Sequence, residues 1–178
     1  MNWSNIGPEY GGMVVENDCT GLLETVEKQL DIYRELLSLA QAKKPVLVKG
    51  DIPELEKMTK EEELLILQVG RLEEQRRSLH QALANHFVLS SEELSLSELI
   101  RRTDGDTSQR FQLVFAEMTE VLKELADINQ ANIELIKNSL DYIDFSMGIL
   151  TSTNSSPVYS EQDEEKKQIA AKIFDRKI

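Results

Sequence analysis

Two histidines, one cysteine and 32 acidic residues are the groups in this 178-residue chain from which chemistry would have to be built. A metal centre in a helical protein needs ligands that share a face, such as a Glu-x-x-His pair on each of two helices. Neither His80 nor His86 has a carboxylate or a second histidine three or four residues away. Asp104 and Asp106 resemble the first ligands of a calcium loop, but its twelfth position is Phe115, where a bidentate Glu is required. There is no glycine-rich phosphate loop and no nucleophile on a strand-to-helix elbow. The carboxylates fall on the polar faces of helices, where a solvated surface accounts for them better than paired acid–base groups. The expectation is a protein that is not an enzyme, with no catalytic residues, no metal and no cofactor. Cys19, alone, cannot form an intrachain disulfide, which fits a reducing compartment, and has no evident role.

Two amides stand out. Asn129 and Asn132 fall on an apolar helix face, where an unpaired amide is costly. Either they form a buried polar layer that fixes helix register, or the face opens there and the amides bond a partner's backbone.

The elements that position these groups are helices. A first helix is expected to begin near Thr20 as N-cap, with Leu23, Val26, Leu30, Tyr33, Leu37 and Ala40 on one face. Pro45 should end or kink it. Asp51, Pro53 and Glu54 open a second helix, whose stripe runs from Leu55 through Met58, Leu65, Ile66, Val69, Leu72, Leu79 and Leu83 toward Phe87. Glu62 and Arg76 interrupt that stripe, so each must reach water or a paired polar group. Ser95 and Glu98 form a capping box that starts a short helix, and 103–107 is a turn. The last helix carries three heptad columns: Phe111, Met118, Leu125 and Asn132; Val114, Val121, Ile128, Leu135 and Tyr142; Phe115, Leu122, Asn129, Ile136, Ile143 and Leu150. It should end near Thr151.

The expected fold class is therefore all-α: an elongated, mostly antiparallel helical bundle of three long helices and one short helix, plus a flexible amphipathic C-terminal tail. Residues 1–18 read as a flexible leader, 19–151 as the bundle domain, and 152–178 as linker and tail. Leu65, Leu72, Phe115, Leu122 and Ile136 are expected in the core. Beyond Leu135 the apolar surface widens: Leu140, Phe145 and Met147 leave the columns, while Ser139 and Ser146 dilute one of them. An amphipathic helix laid on Leu140, Ile143, Phe145, Met147 and Leu150 would cover that surface, the helix being a client's or this chain's own Ile169, Ile173, Phe174 and Ile178.

A net charge of −12 and a pI near 4.7 disfavour nucleic acid and anionic membrane surfaces. No apolar run approaches a transmembrane span, and the N-terminus lacks the pattern of a secretory signal. A protein partner remains. The stretches LVKGDIPELEKMTKEEELLILQVGRLEEQRRSL (47–79), SLSELI (95–100) and INQANIELIKNSLDYI (128–143), in this order, resemble the FlgN family of flagellar export chaperones. The Asn-x-x-Asn pair followed by Leu-Ile, and the Gly-Asp before the second helix, carry most of that resemblance. It implies a cytoplasmic chaperone whose C-terminal region binds the C-terminal helical segment of hook–filament junction proteins and which docks on the export gate. Tyr142 and Tyr159 are the candidates for the gate contact. The resemblance leaves open a homodimer. The competing reading is a coiled-coil scaffold with no client, which should keep a uniform apolar stripe to its end.

Overall fold

The computed structural model describes residues 8–152, with side chains placed for residues 17–149 and for Thr151. Those residues form four α-helices: α1 (Pro8–Lys49), α2 (Ile52–His86), α3 (Leu96–Arg102) and α4 (Gly105–Ser152). The fold is all-α, and no strand occurs among the described residues. The chain divides into two units, Met1–Ile136 and Lys137–Ile178, and the bundle core lies in the first.

Helix boundaries follow from local chemistry, with three corrections. The turn expected at 103–107 is confined to Thr103 and Asp104, because α4 already begins at Gly105. α1 starts at Pro8, so Thr20 lies inside it and is not its N-cap. A proline in the first turn has no N–H to leave unpaired and a φ already suited to a helix. Of the two outcomes expected at Pro45, an end is excluded: α1 runs through it to Lys49. A proline so near the C-terminus forfeits one backbone bond, to the Gln41 carbonyl, which is cheaper than abandoning the turn. Gly50 stops the helix. Its φ of 68° lets the Gly50 N–H reach the Leu47 carbonyl (3.2 Å) and the Asp51 N–H reach the Val46 carbonyl (3.2 Å). That pair of bonds is a Schellman motif. Asp51 then caps α2, its Oδ1 accepting the Glu54 N–H at 3.3 Å.

The C-terminus of α2 repeats the motif without a glycine. The Val88 N–H reaches the Asn85 carbonyl (3.2 Å) and the Leu89 N–H the Ala84 carbonyl (2.9 Å), with Val88 at φ 57°. A β-branched residue in the left-handed region is strained by about 1–2 kcal/mol. Val88 is 90% exposed, so its side chain recovers little of this. Leu89, packed against the core, holds the motif shut. Val88→Gly is therefore expected to stabilise the protein by up to about 1 kcal/mol, after glycine's own entropic cost, raising Tm by roughly 2–4 °C. A thermal melt showing a lower Tm would place the strain elsewhere.

The core of the first unit joins Cys19, Leu22, Leu23, Val26 and Leu30 of α1 to Leu83 and Ala84 of α2, Leu99 of α3, and Phe111 and Met118 of α4. Cys19 is thus a packing residue, and burial, followed by Asp18, pushes its thiol up to about 11. His80, half-buried, donates Nε2–H to the Leu94 carbonyl at 2.8 Å and pins the α2–α3 connection.

Polar pairs set the register. Gln29 meets Glu73 and Lys43 meets Glu62, so α1 and α2 run antiparallel. Glu27–Arg110, Arg34–Glu117 and Gln41–Glu124 each link residues 83 apart. These links lie one heptad from each other, so α1 and the first part of α4 run parallel in a common phase. Both interruptions of the α2 stripe are paired as expected. Glu62 accepts from Lys43, and Arg76 makes a bidentate contact to Glu73 at 2.7 and 2.8 Å.

The expected burial needs correction. Leu65, Leu72 and Phe115 are only half-buried, while Leu122 and Ile136 are 39% and 42% exposed. The innermost column of α4 is Phe111, Met118, Leu125 and Asn132, which lies between the other two columns. The column containing Leu122 and Ile136 sits on a flank.

Glu73 is held down at about 2, first by its hydrogen bonds from Arg76, with Arg77 and Gln29 adding to the effect and burial opposing it. A carboxylate whose folded pKa lies below its ordinary 4.5 contributes stability above that value and loses it as pH falls toward 2. Glu73→Gln is expected to cost roughly 1–2 kcal/mol at neutral pH, allowing for partial solvent screening, and almost nothing near pH 2. Urea titrations at the two pH values check this. An equal cost at both would rule out the ionic origin.

Candidate partner-binding surface

The candidate residues lie along α4. In the first unit, Asn132 is only 5% exposed, and its Nδ2–H donates to the Ala40 carbonyl of α1 at 2.8 Å. Its Oδ1 is buried without a protein partner. Asn129, one turn earlier, is half-buried on the flank. Of the two readings, the register role describes what the Asn132 amide does: it ties α4 to one carbonyl of α1. The arrangement is an imperfect one, since a buried unpaired acceptor costs about 1–3 kcal/mol and the bond made is worth about 1 kcal/mol. Asn132→Leu, close in shape, is expected to raise stability by about 1–3 kcal/mol by adding apolar burial and removing that acceptor. A fall in the denaturant midpoint would show that the bond to Ala40 outweighs both.

In the second unit, Leu140, Tyr142, Ile143, Phe145, Met147 and Ile149 all keep about half or more of their surface exposed. The helix sorts them into two stripes. Consecutive residues on an α-helix are about 100° apart, so residues three or four apart share a side and residues two apart do not. Leu140, Ile143 and Met147 form one stripe; Tyr142, Phe145 and Ile149 form the other, roughly opposite. The sequence reading grouped Phe145 with Ile143 on one surface, and the helix separates them by about 160°. Ile149 was not singled out, although its spacing from Tyr142 and Phe145 carries the signal. Asp141 and Asp144 lie along one border between the stripes, while Ser139 and Ser146 lie along the other. The Leu150 side chain and Tyr159, Ile169, Ile173 and Phe174 are outside the described residues.

Elsewhere in the first unit, Leu64 and Leu67 are exposed on α2, and so is Ile66, which its place in the expected stripe would have buried. Among the described residues, no group of three or more His, Cys, Asp or Glu is placed to hold a metal ion, and no helix is long and apolar enough to cross a membrane.

A packed helical core, followed by a helix end with apolar side chains exposed on two sides, makes this an all-α bundle protein with no catalytic or metal cluster among the described residues. A model of the FlgN protein family matches residues 13–167, and the chain belongs to that family of flagellar export chaperones. It is a family of chaperones, not of enzymes. The chain is also 25% identical over 158 residues to the uncharacterized protein YvyG of Bacillus subtilis (strain 168), covering 88% of this chain and 96% of that protein. No solved structure matches it.

Proposed function

We propose that this protein is a cytoplasmic type III export chaperone that holds the C-terminal helical segment of hook–filament junction proteins on the Leu140–Ile143–Met147 stripe. Holding that segment keeps its owner from assembling early and delivers it to the export gate, with Tyr142 or Tyr159 as the gate contact. The observation that supports this reading is the exposure of all three stripe residues on a helix whose earlier turns bury Phe111 and Met118. An apolar stripe of this spacing suits an amphipathic helix laid alongside it. A methionine at its C-terminal end adapts to clients of different shape.

The energetics suit a carrier. Ordering a disordered segment into a helix costs about 2–5 kcal/mol, and each buried anchor returns roughly 1.5–3 kcal/mol. Four client anchors near the upper end of that range leave about 7–10 kcal/mol, a complex of micromolar class, tight enough to mask the segment and weak enough to release it at the gate. No nucleotide is needed for either step. Titration calorimetry of the full chain with a purified junction protein, and with the same protein lacking its C-terminal segment, tests the reading. Binding near micromolar Kd with the first and none with the second is expected. Equal affinity for both, or no heat up to roughly 100 μM, would overturn it.

A further inference from the structure

The fold separates the two asparagines of α4. Asn132 spends its amide on the Ala40 carbonyl, whereas Asn129, about 60° round the helix, lies on the flank of the first unit. Among the described residues no hydrogen bond reaches the Asn129 side chain. Its neighbours along that flank are Leu122, Ala126, Ile133 and Ile136, so the five residues alternate four and three apart. Leu122, Ile133 and Ile136 are all exposed, Ile133 the most at 58%. Such an alternation is the seam of a helix pair, here open to water and with one unspent amide at its middle. We propose that this flank receives a further stretch of the client, as a helix whose apolar stripe is interrupted by one amide or hydroxyl side chain that pairs with Asn129. The proposal rests on the client reading for the identity of the partner.

The chemistry of the seam defines what fits it. A partner helix has already spent its backbone groups on its own hydrogen bonds, so Asn129 must meet a side chain. Asn, Gln, Ser and Thr each offer a donor and an acceptor. An apolar side chain there would bury the amide unpaired, so Asn129 both fixes the register of the partner and rejects helices that lack the polar group. Lys123, exposed at the outer border of the seam, suits a carboxylate along the adjoining edge of the partner. Area argues against a second copy of the chain. Covering what remains exposed of Leu122, Ile133 and Ile136 removes on the order of 200 Å² of apolar surface from each copy, where a stable interface needs about 800 Å² from each. A client segment anchored elsewhere on the chain gains the same contact intramolecularly, so a small area is enough.

Calorimetric titration of the full chain with a purified junction protein tests the proposal. Ile133→Asp is expected to weaken binding about tenfold or more with helix content unchanged, and Asn129→Leu about tenfold. Asn132→Leu should stay within about twofold, because its amide serves the bundle. Each Asn, Gln, Ser and Thr of the client's C-terminal segment is then replaced by Leu in turn. One replacement should weaken binding to the native chain about tenfold and cost nothing further against Asn129→Leu. Three results would overturn the proposal: Ile133→Asp binding within about twofold of the native chain, Asn129→Leu binding every client variant as tightly as the native chain does, or sedimentation showing that Ile133→Asp dissociates a native dimer, which would make the occupant a second copy. Loss of binding in Ile133→Asp with none in Ile143→Asp would move the client off the Leu140–Ile143–Met147 stripe and keep this surface. The reverse pattern would remove this surface and keep that stripe. A native chain that binds no junction protein would sink both.

Discussion

The Ile143→Asp chain is expected to bind a junction protein's helical segment at least about 100-fold more weakly than the native chain, with its helix content unchanged. Ile143 is the middle residue of its stripe and about half exposed in the free protein, so an aspartate there remains solvated and does no harm to folding. In the complex the same carboxylate would be buried against an apolar helix with no cation assigned to it, which costs several kcal/mol. Phe145→Asp, on the opposite side of α4, is expected to leave client affinity within about threefold, since surface changes away from a contact rarely exceed ~0.5 kcal/mol. Calorimetric titration of both variants distinguishes the stripes. Equal losses in the two would show that a partner wraps the helix, and unchanged affinity in Ile143→Asp would move the client site off this stripe.

Phe111→Ala is expected to have the largest effect on stability, a loss of about 3–5 kcal/mol. The ring is fully buried where α1, α2 and α3 converge on α4, with the Phe115 ring 6.3 Å from it. Such a loss is a third or more of the total for a typical domain, so the variant should unfold at a much lower denaturant concentration. Leu122→Ala, on the exposed flank of the same helix, should cost about 1 kcal/mol or less. A midpoint for Phe111→Ala close to that of Leu122→Ala would mean that the innermost column of α4 has been misplaced.

Much of this protein was legible in one dimension. The caps at Asp51 and Ser95 were readable because each depends on groups within one helical turn, where spacing along the chain is distance in space. Arg76, which the stripe requires to reach water or a polar partner, finds Glu73 three residues away. The heptad columns of α4 were readable too. The choice among them was not, because all three are apolar and only the neighbouring helices decide which one faces inward. Phe145 shows a different limit: its departure from the columns groups it with Ile143, whereas the 3.6-residue period puts the two about 160° apart.

The sequence by itself determined that the chain is all-α, where α2 and α3 begin and α4 ends to within a residue or two, that the chain is acidic, and that the apolar surface of α4 widens toward its C-terminus. Tertiary structure decided the rest: that Cys19 is a core residue, that Glu62 is paired with Lys43, that α1 and α4 share a phase through pairs 83 residues apart, and that the buried Asn132 amide is spent on the Ala40 carbonyl. It also decided that α2 is closed by a strained Val88 where a glycine would relax. The division has one physical cause. Capping, turn geometry and helical period act within about a turn of the chain, whereas burial and long-range pairing depend on which faces of separate helices come to lie against each other.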